Sequence, residues 1–183
     1  MLKEYLEKNY GYNEPIFINE IRLDGLNDNA LRQYFKRMLK SGDLARFDTG
    51  IYYLPKASRL LKKSYLDPMK VIIRKYVQST TETYGYFAGA TFANQIGLTT
   101  QMAATLEIVT SKESTKGRTV TVGSQAVRLK RPATAITSEN AGLLQFLDAV
   151  SQAEKYSELS DSDTGILLKN YAKQQNYSKE LLS

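Results

Sequence analysis

The stretch Asn27-Asp28-Asn29-Ala30-Leu31-Arg32-Gln33-Tyr34-Phe35-Lys36-Arg37-Met38-Leu39-Lys40-Ser41-Gly42, with Asp43-Leu44-Ala45-Arg46-Phe47-Asp48-Thr49-Gly50-Ile51-Tyr52-Tyr53-Leu54-Pro55 after it, decides how the N-terminal part of the chain reads. Asn27 and Asp28 supply an N-cap, and Leu31, Phe35, Met38 and Leu39 recur on one face of a helix over residues 29–40. Ser41-Gly42 closes that helix, where Lys40 complements the negative end of the dipole. The runs 43–47 and 51–54 are short and β-prone, and they flank Asp48-Thr49-Gly50 as a hairpin would. Pro55 lacks the N–H that a ladder needs and ends the second strand.

Upstream, Leu2, Tyr5, Leu6 and Tyr10 lie at helical spacing ahead of the stop signal Gly11. Residues 16–21 (Ile16-Phe17-Ile18-Asn19-Glu20-Ile21) read as a short helix closed near Asp24-Gly25. Helix, short helix, helix, hairpin is the order of a winged helix-turn-helix. The basic stretch 57–67 reads as a linker, and Pro68 opens a further helix through about Gln78. A helix over about 88–96, strands over 104–110, 118–122 and 125–129, and helices over 140–150 and 164–173 complete the chain. The expected architecture is α/β (α+β): a winged helix-turn-helix over 1–56, the linker, and a mixed α/β domain over 68–183.

Charge is unevenly placed along the 183 residues, whose net charge is +6. Residues 22–63 carry ten Lys/Arg against four Asp/Glu, residues 112–131 carry six against one, and residues 138–183 carry four against seven. Two basic blocks and an acidic tail suit a chain that meets phosphate with one part and something else with another. The chain has no cysteine and no histidine. That removes disulfides, thiolate nucleophiles, Cys/His zinc sites and imidazole bases, so no catalytic residue, metal or cofactor is expected. Asp161-Ser162-Asp163 is the nearest carboxylate pair, and helix capping explains it better than metal binding. The N-terminus opens an amphipathic segment rather than an apolar signal core, and no apolar run is long enough to cross a membrane; cytoplasmic placement is expected.

In a helix-turn-helix the second helix enters the major groove. The non-apolar positions of that helix are Asn29, Arg32, Gln33, Lys36, Arg37 and Lys40. Arg can bond guanine O6 and N7 in a fork, and Asn or Gln can do the same for adenine N6 and N7. Lys36, Arg37 and Lys40 suit phosphate, while Arg46 and Thr49 at the hairpin tip suit an adjacent backbone or minor groove. A merely solvated helix interleaves Glu with Lys, but no acidic residue follows Asp28 through Gly42. Double-stranded DNA is therefore the expected partner. The second block, Lys112, Lys116, Arg118, Arg128, Lys130 and Arg131, fits a further phosphate contact and a solvated hairpin loop about equally. The run Tyr84–Phe92, with Gly85, Gly89 and Gly97, matches no phosphate-binding fingerprint. Asn94, Gln95 and Gln101 fit internal hydrogen bonding or a partner contact.

The run Tyr84-Gly85-Tyr86-Phe87-Ala88-Gly89-Ala90-Thr91-Phe92-Ala93-Asn94-Gln95-Ile96-Gly97-Leu98-Thr99-Thr100-Gln101 resembles a motif of the AbiEi-type antitoxins of type IV (AbiE, abortive-infection) toxin–antitoxin systems. So do Leu106-Glu107-Ile108-Val109-Thr110, Arg131-Pro132, Ile136-Thr137, Asn140 and Leu144-Gln145-Phe146-Leu147-Asp148, and Gly50-Ile51-Tyr52-Tyr53-Leu54-Pro55 is similar to their wing-strand ending. The resemblance implies a winged helix that binds inverted repeats in its own promoter and represses transcription. It also implies a C-terminal domain that counteracts a nucleotidyltransferase-like toxin without a stable complex. With no heptad or apolar dimer helix, monomers that cooperate on DNA are expected. Two other readings compete: a winged-helix regulator with a ligand-sensing or dimerising C-terminal domain, and an enzyme acting on nucleic acid, which the scattered carboxylates disfavour.

Overall fold

The computed structural model describes residues 2–57, 59 and 62–177. The chain is mixed α/β and divides after Val71 into two compact units. Among the described residues, no helix is long and apolar enough to cross a membrane.

The N-terminal unit runs α1 (Leu2–Asn9), β1 (Ile16–Phe17), a 3-10 turn (Ile18–Glu20), α2 (Asp28–Ser41), β2 (Ala45–Asp48) and β3 (Ile51–Tyr53). The strands form an antiparallel sheet in the order β1-β3-β2. Asn27 caps α2 by accepting the Ala30 N–H at 2.8 Å. Gly42 ends it in the left-handed region at φ +80°, a conformation that a Cβ opposes. Leu6, Ile16, Ile21, Leu31, Phe35, Leu44 and Leu54 make one core, in which the Phe35 ring meets Tyr52 edge-on at 5.0 Å. The short helix expected over 16–21 is corrected here. Ile16 and Phe17 pair with Tyr52 and Ile51, and only a single 3-10 turn follows. Six residues cannot repay helix nucleation alone, whereas a preformed neighbouring strand satisfies their backbone at once.

The C-terminal unit holds a four-stranded sheet in the order β4-β5-β7-β6, from β4 (Gly85–Ala88), β5 (Thr105–Thr110), β6 (Arg118–Val122) and β7 (Gln125–Lys130). The β5–β7 pair is parallel and the other two pairs are antiparallel. Ile108, Val127 and Leu129 are fully buried. Around the sheet lie α4 (Gly89–Gln95), α5 (Ala141–Ser151), α6 (Ala153–Tyr156) and α7 (Asp161–Gln174). Ala88 and Val109 pack with Ile136 and Ala141 at the α5 side. Phe92, Phe146 and Tyr171 tie α4, α5 and α7 together through ring contacts of 5.9 and 5.7 Å.

Several elements differ from expectation. The helix from Pro68 is α-helical only as α3 (Pro68–Ile72) and widens into a π-turn over Ile73–Val77. β4 occupies the aromatic run, and its Gly85 lies against the end of the π-turn. A Cβ there would stand 2.1 Å from the Tyr76 carbonyl oxygen and 2.9 Å from that of Val109. Lys112–Arg118 is not a hairpin loop, because β7 lies between β5 and β6 in the sheet. The helix expected over 164–173 begins earlier, so Asp161–Asp163 form the first turn of α7. Ser160 caps them, accepting the Asp163 N–H at 3.1 Å.

Candidate nucleic-acid interface

Burial of Leu31 and Phe35 on one stripe of α2 turns the opposite stripe outward. Asn29, Arg32, Gln33, Lys36, Arg37 and Lys40 are all exposed. Arg37 stacks over the Tyr34 ring at 5.1 Å, so its guanidinium is partly engaged on the helix itself. Among the described residues, no hydrogen bond or ion pair holds Asn29, Arg32, Gln33, Lys36 or Lys40. The charges of Arg32, Lys36 and Lys40 and the amides of Asn29 and Gln33 are available to a ligand. Beside them a shallow depression is lined by Ile18, Asn19, Arg22, Asp28, Leu31 and Arg32. The Arg22 guanidinium is anchored there by donating to the carbonyls of Asn19 at 2.7 Å and Ile21 at 2.9 Å. Arg22 was not singled out from sequence, since no periodicity links a loop residue to the α2 face.

At the hairpin tip Arg46 and Thr49 are brought together. Arg46 Nη2 donates to Thr49 Oγ1 at 3.0 Å, and its Nε donates to the Asp48 carbonyl at 3.3 Å. Asp48 in turn accepts the Thr49 N–H at 2.6 Å. A register shift in β2 between Arg46 and Asp48 makes this tip compact. Both side chains are exposed, but Arg46 is held by local bonds rather than projecting freely.

The second basic block does not act as one surface. Arg118 donates to Glu113 at 2.7 Å, Lys130 pairs with Glu107 at 2.5 Å, and Lys112 lies over the Tyr84 ring at 4.5 Å. Glu113 is 3% exposed. The Thr115 N–H and hydroxyl, with the Arg118 guanidinium, hold its carboxyl down at about 2. Burial pushes Glu107 upward, but bonds from Lys130, Tyr156 and the Ala90 N–H outweigh it and leave its pKa lowered. Lys116, Arg128 and Arg131 remain exposed and without a partner among the described residues. Carboxylates thus neutralise two of the block's six cations, and Lys112 rests on a ring.

The motif residues of 84–101 also work internally. Asn94 donates to the Thr99 carbonyl, and Gln101 donates to Glu158. Glu158 accepts the Thr100 N–H as well, and these bonds hold its carboxyl at about 2. Gln95 is exposed. Gly89, at φ +55°, begins α4 where a Cβ would strike the Glu107 carboxylate at 2.3 Å. Thr137 and Asn140 bond each other's backbone N–H at the start of α5. Among the described residues, no cluster of three or more carboxylates is placed to hold a metal ion. Compared with protein-family models, curated proteins and solved structures, the chain matches none.

Proposed function

We propose that the N-terminal unit is a winged helix-turn-helix that binds double-stranded DNA, with α2 as its recognition helix and the β2–β3 tip as its wing. The observation that carries this reading is the exposed face of α2, on which Arg32, Gln33, Lys36 and Lys40 stand without partners among the described residues. The sheet order β1-β3-β2 behind that helix supports it. In such a complex Asn29, Arg32 and Gln33 read base edges, and Lys36, Arg37 and Lys40 hold phosphates. Arg46 and Thr49 approach the neighbouring backbone as one bonded unit.

The resemblance of residues 84–101 supports the wider proposal of a type IV antitoxin in the cytoplasm that represses its own promoter at inverted repeats. Its C-terminal unit would antagonise a nucleotidyltransferase-like toxin without forming a stable complex. A gel-shift titration against DNA upstream of the gene tests the first part. Selective binding that survives random competitor and disappears in Arg32→Ala/Lys36→Ala supports it, and equal affinity for all DNA rejects the autorepressor. Co-expression with the neighbouring gene tests the second part. Growth arrest relieved by this chain supports antitoxin action, and arrest unaffected by it rejects that action.

A further inference from the structure

A sheet edge presents unpaired N–H and C=O groups to any strand that reaches it, and folded proteins usually obstruct such edges. The two sheets of this chain have four edges, formed by β1, β2, β4 and β6. Three are obstructed. β1 is only two residues long. β2 carries a register shift and the exposed charges Arg46 and Asp48. β4 is blocked by Gln145, whose side-chain amide donates to the Phe87 carbonyl at 2.8 Å, and by the Tyr84 N–H bonding the Val77 carbonyl beside it. Apart from the exposed Arg118, β6 has none of these devices among the described residues. It pairs with β7 in unbroken register over five residues, and within its unit no other described element packs substantially against it. It contains no proline, and its one charge, Arg118, is neutralised by Glu113.

We propose that β6 pairs antiparallel with β6 of a second copy of this chain, about a two-fold axis through Val120. The sequence Arg118-Thr119-Val120-Thr121-Val122 is complementary to itself in that register. Thr119 faces the second copy's Thr121 twice, a favourable cross-strand pair. Val120 faces itself, and Arg118 faces Val122, so no like charges oppose each other. Such an isologous contact closes on two copies and leaves no edge for further growth. The two half-buried Val120 side chains then continue the face that carries Val127 across the axis. A contact of five residues is weak, so it forms at high protein concentration. It is inferred without reference to DNA and is tested without DNA.

The test is sedimentation of three full-length forms up to high micromolar concentration, with circular dichroism to show that each is folded. The wild type is expected to rise with concentration toward twice the monomer mass. Thr119→Glu with Thr121→Glu sets carboxylates opposite each other while lowering the chain's positive charge. It is expected to weaken association about tenfold, a loss that general repulsion does not explain. Thr119→Glu with Thr121→Lys sets opposite charges face to face in the same register and is expected to restore the dimer. Because the native chain lacks cysteine, Thr119→Cys with Thr121→Cys should also give a disulfide-linked dimer on mild oxidation. A wild type monomeric throughout with no cross-link overturns the proposal. So does association equal in all three forms.

Discussion

Arg32 and Lys36 are both exposed cations on α2, but they serve different tasks in the proposed complex. Arg32→Ala is expected to relax base preference at one position, at about 1–3 kcal/mol per lost bidentate contact. Lys36→Ala is expected to weaken all sites alike and to reduce the slope of log affinity against log salt by about one. Titrations over a salt series, on operator variants, separate the two. If Arg32→Ala alters neither affinity nor preference, α2 is not the reading helix. Glu113 gives a prediction of another kind. Folding lowers its pKa from 4.5 to about 2, so the unfolded chain takes up the proton first as pH falls. Its stabilisation is complete above the ordinary carboxylate range and is lost as pH drops through that window toward 2. Glu113→Gln should therefore be less stable than wild type at pH 7, with a shallower loss between about pH 4.5 and 2. Urea unfolding across that range measures it, and parallel acid profiles would reject the assignment.

At the scale of elements, α2 depends on its ends as well as on its buried stripe. Asn27→Ala removes the acceptor for the Ala30 N–H and is expected to cost about 0.5–2 kcal/mol in unfolding free energy. Operator affinity should change little once the protein is folded, because Asn27 precedes the proposed reading face. This helix was legible in sequence because a cap residue, a stripe of apolar side chains and a terminal glycine all lie within sixteen residues. β1 was not legible. Ile16 and Phe17 become a strand only through Tyr52 and Ile51, far along the chain. β4 was hidden for a similar reason: it lies in an aromatic run whose pairing partner is β5. The close approach of the Tyr76 carbonyl, which only a glycine at 85 allows, is a contact that no local pattern encodes. In the candidate site, the outward α2 residues followed from helical periodicity alone. The division of the second basic block did not, because Lys130 meets Glu107 across two adjacent strands.

The two units carry separate cores, and that gives a prediction for the whole molecule. Phe35 is 1% exposed within the N-terminal core. Phe35→Ala is expected to destabilise that unit by about 3–5 kcal/mol. Hydrogen exchange should rise in α1, α2 and β3, while amides of β5 and β7 keep their protection. Loss of protection in both units together would show a single cooperative core. Sequence alone settled the local and the compositional: the cap and stop of α2, the β2–β3 turn, the absence of thiol and imidazole side chains, and the one-sided run of cations along one helix face. These depend on neighbours a few residues away or on no neighbour at all. Tertiary structure decided which strands join and which remain at an edge, the parallel β5–β7 pair, and which cations are neutralised. Each of those rests on contacts between residues distant in the chain, and side-chain spacing carries no record of such partners.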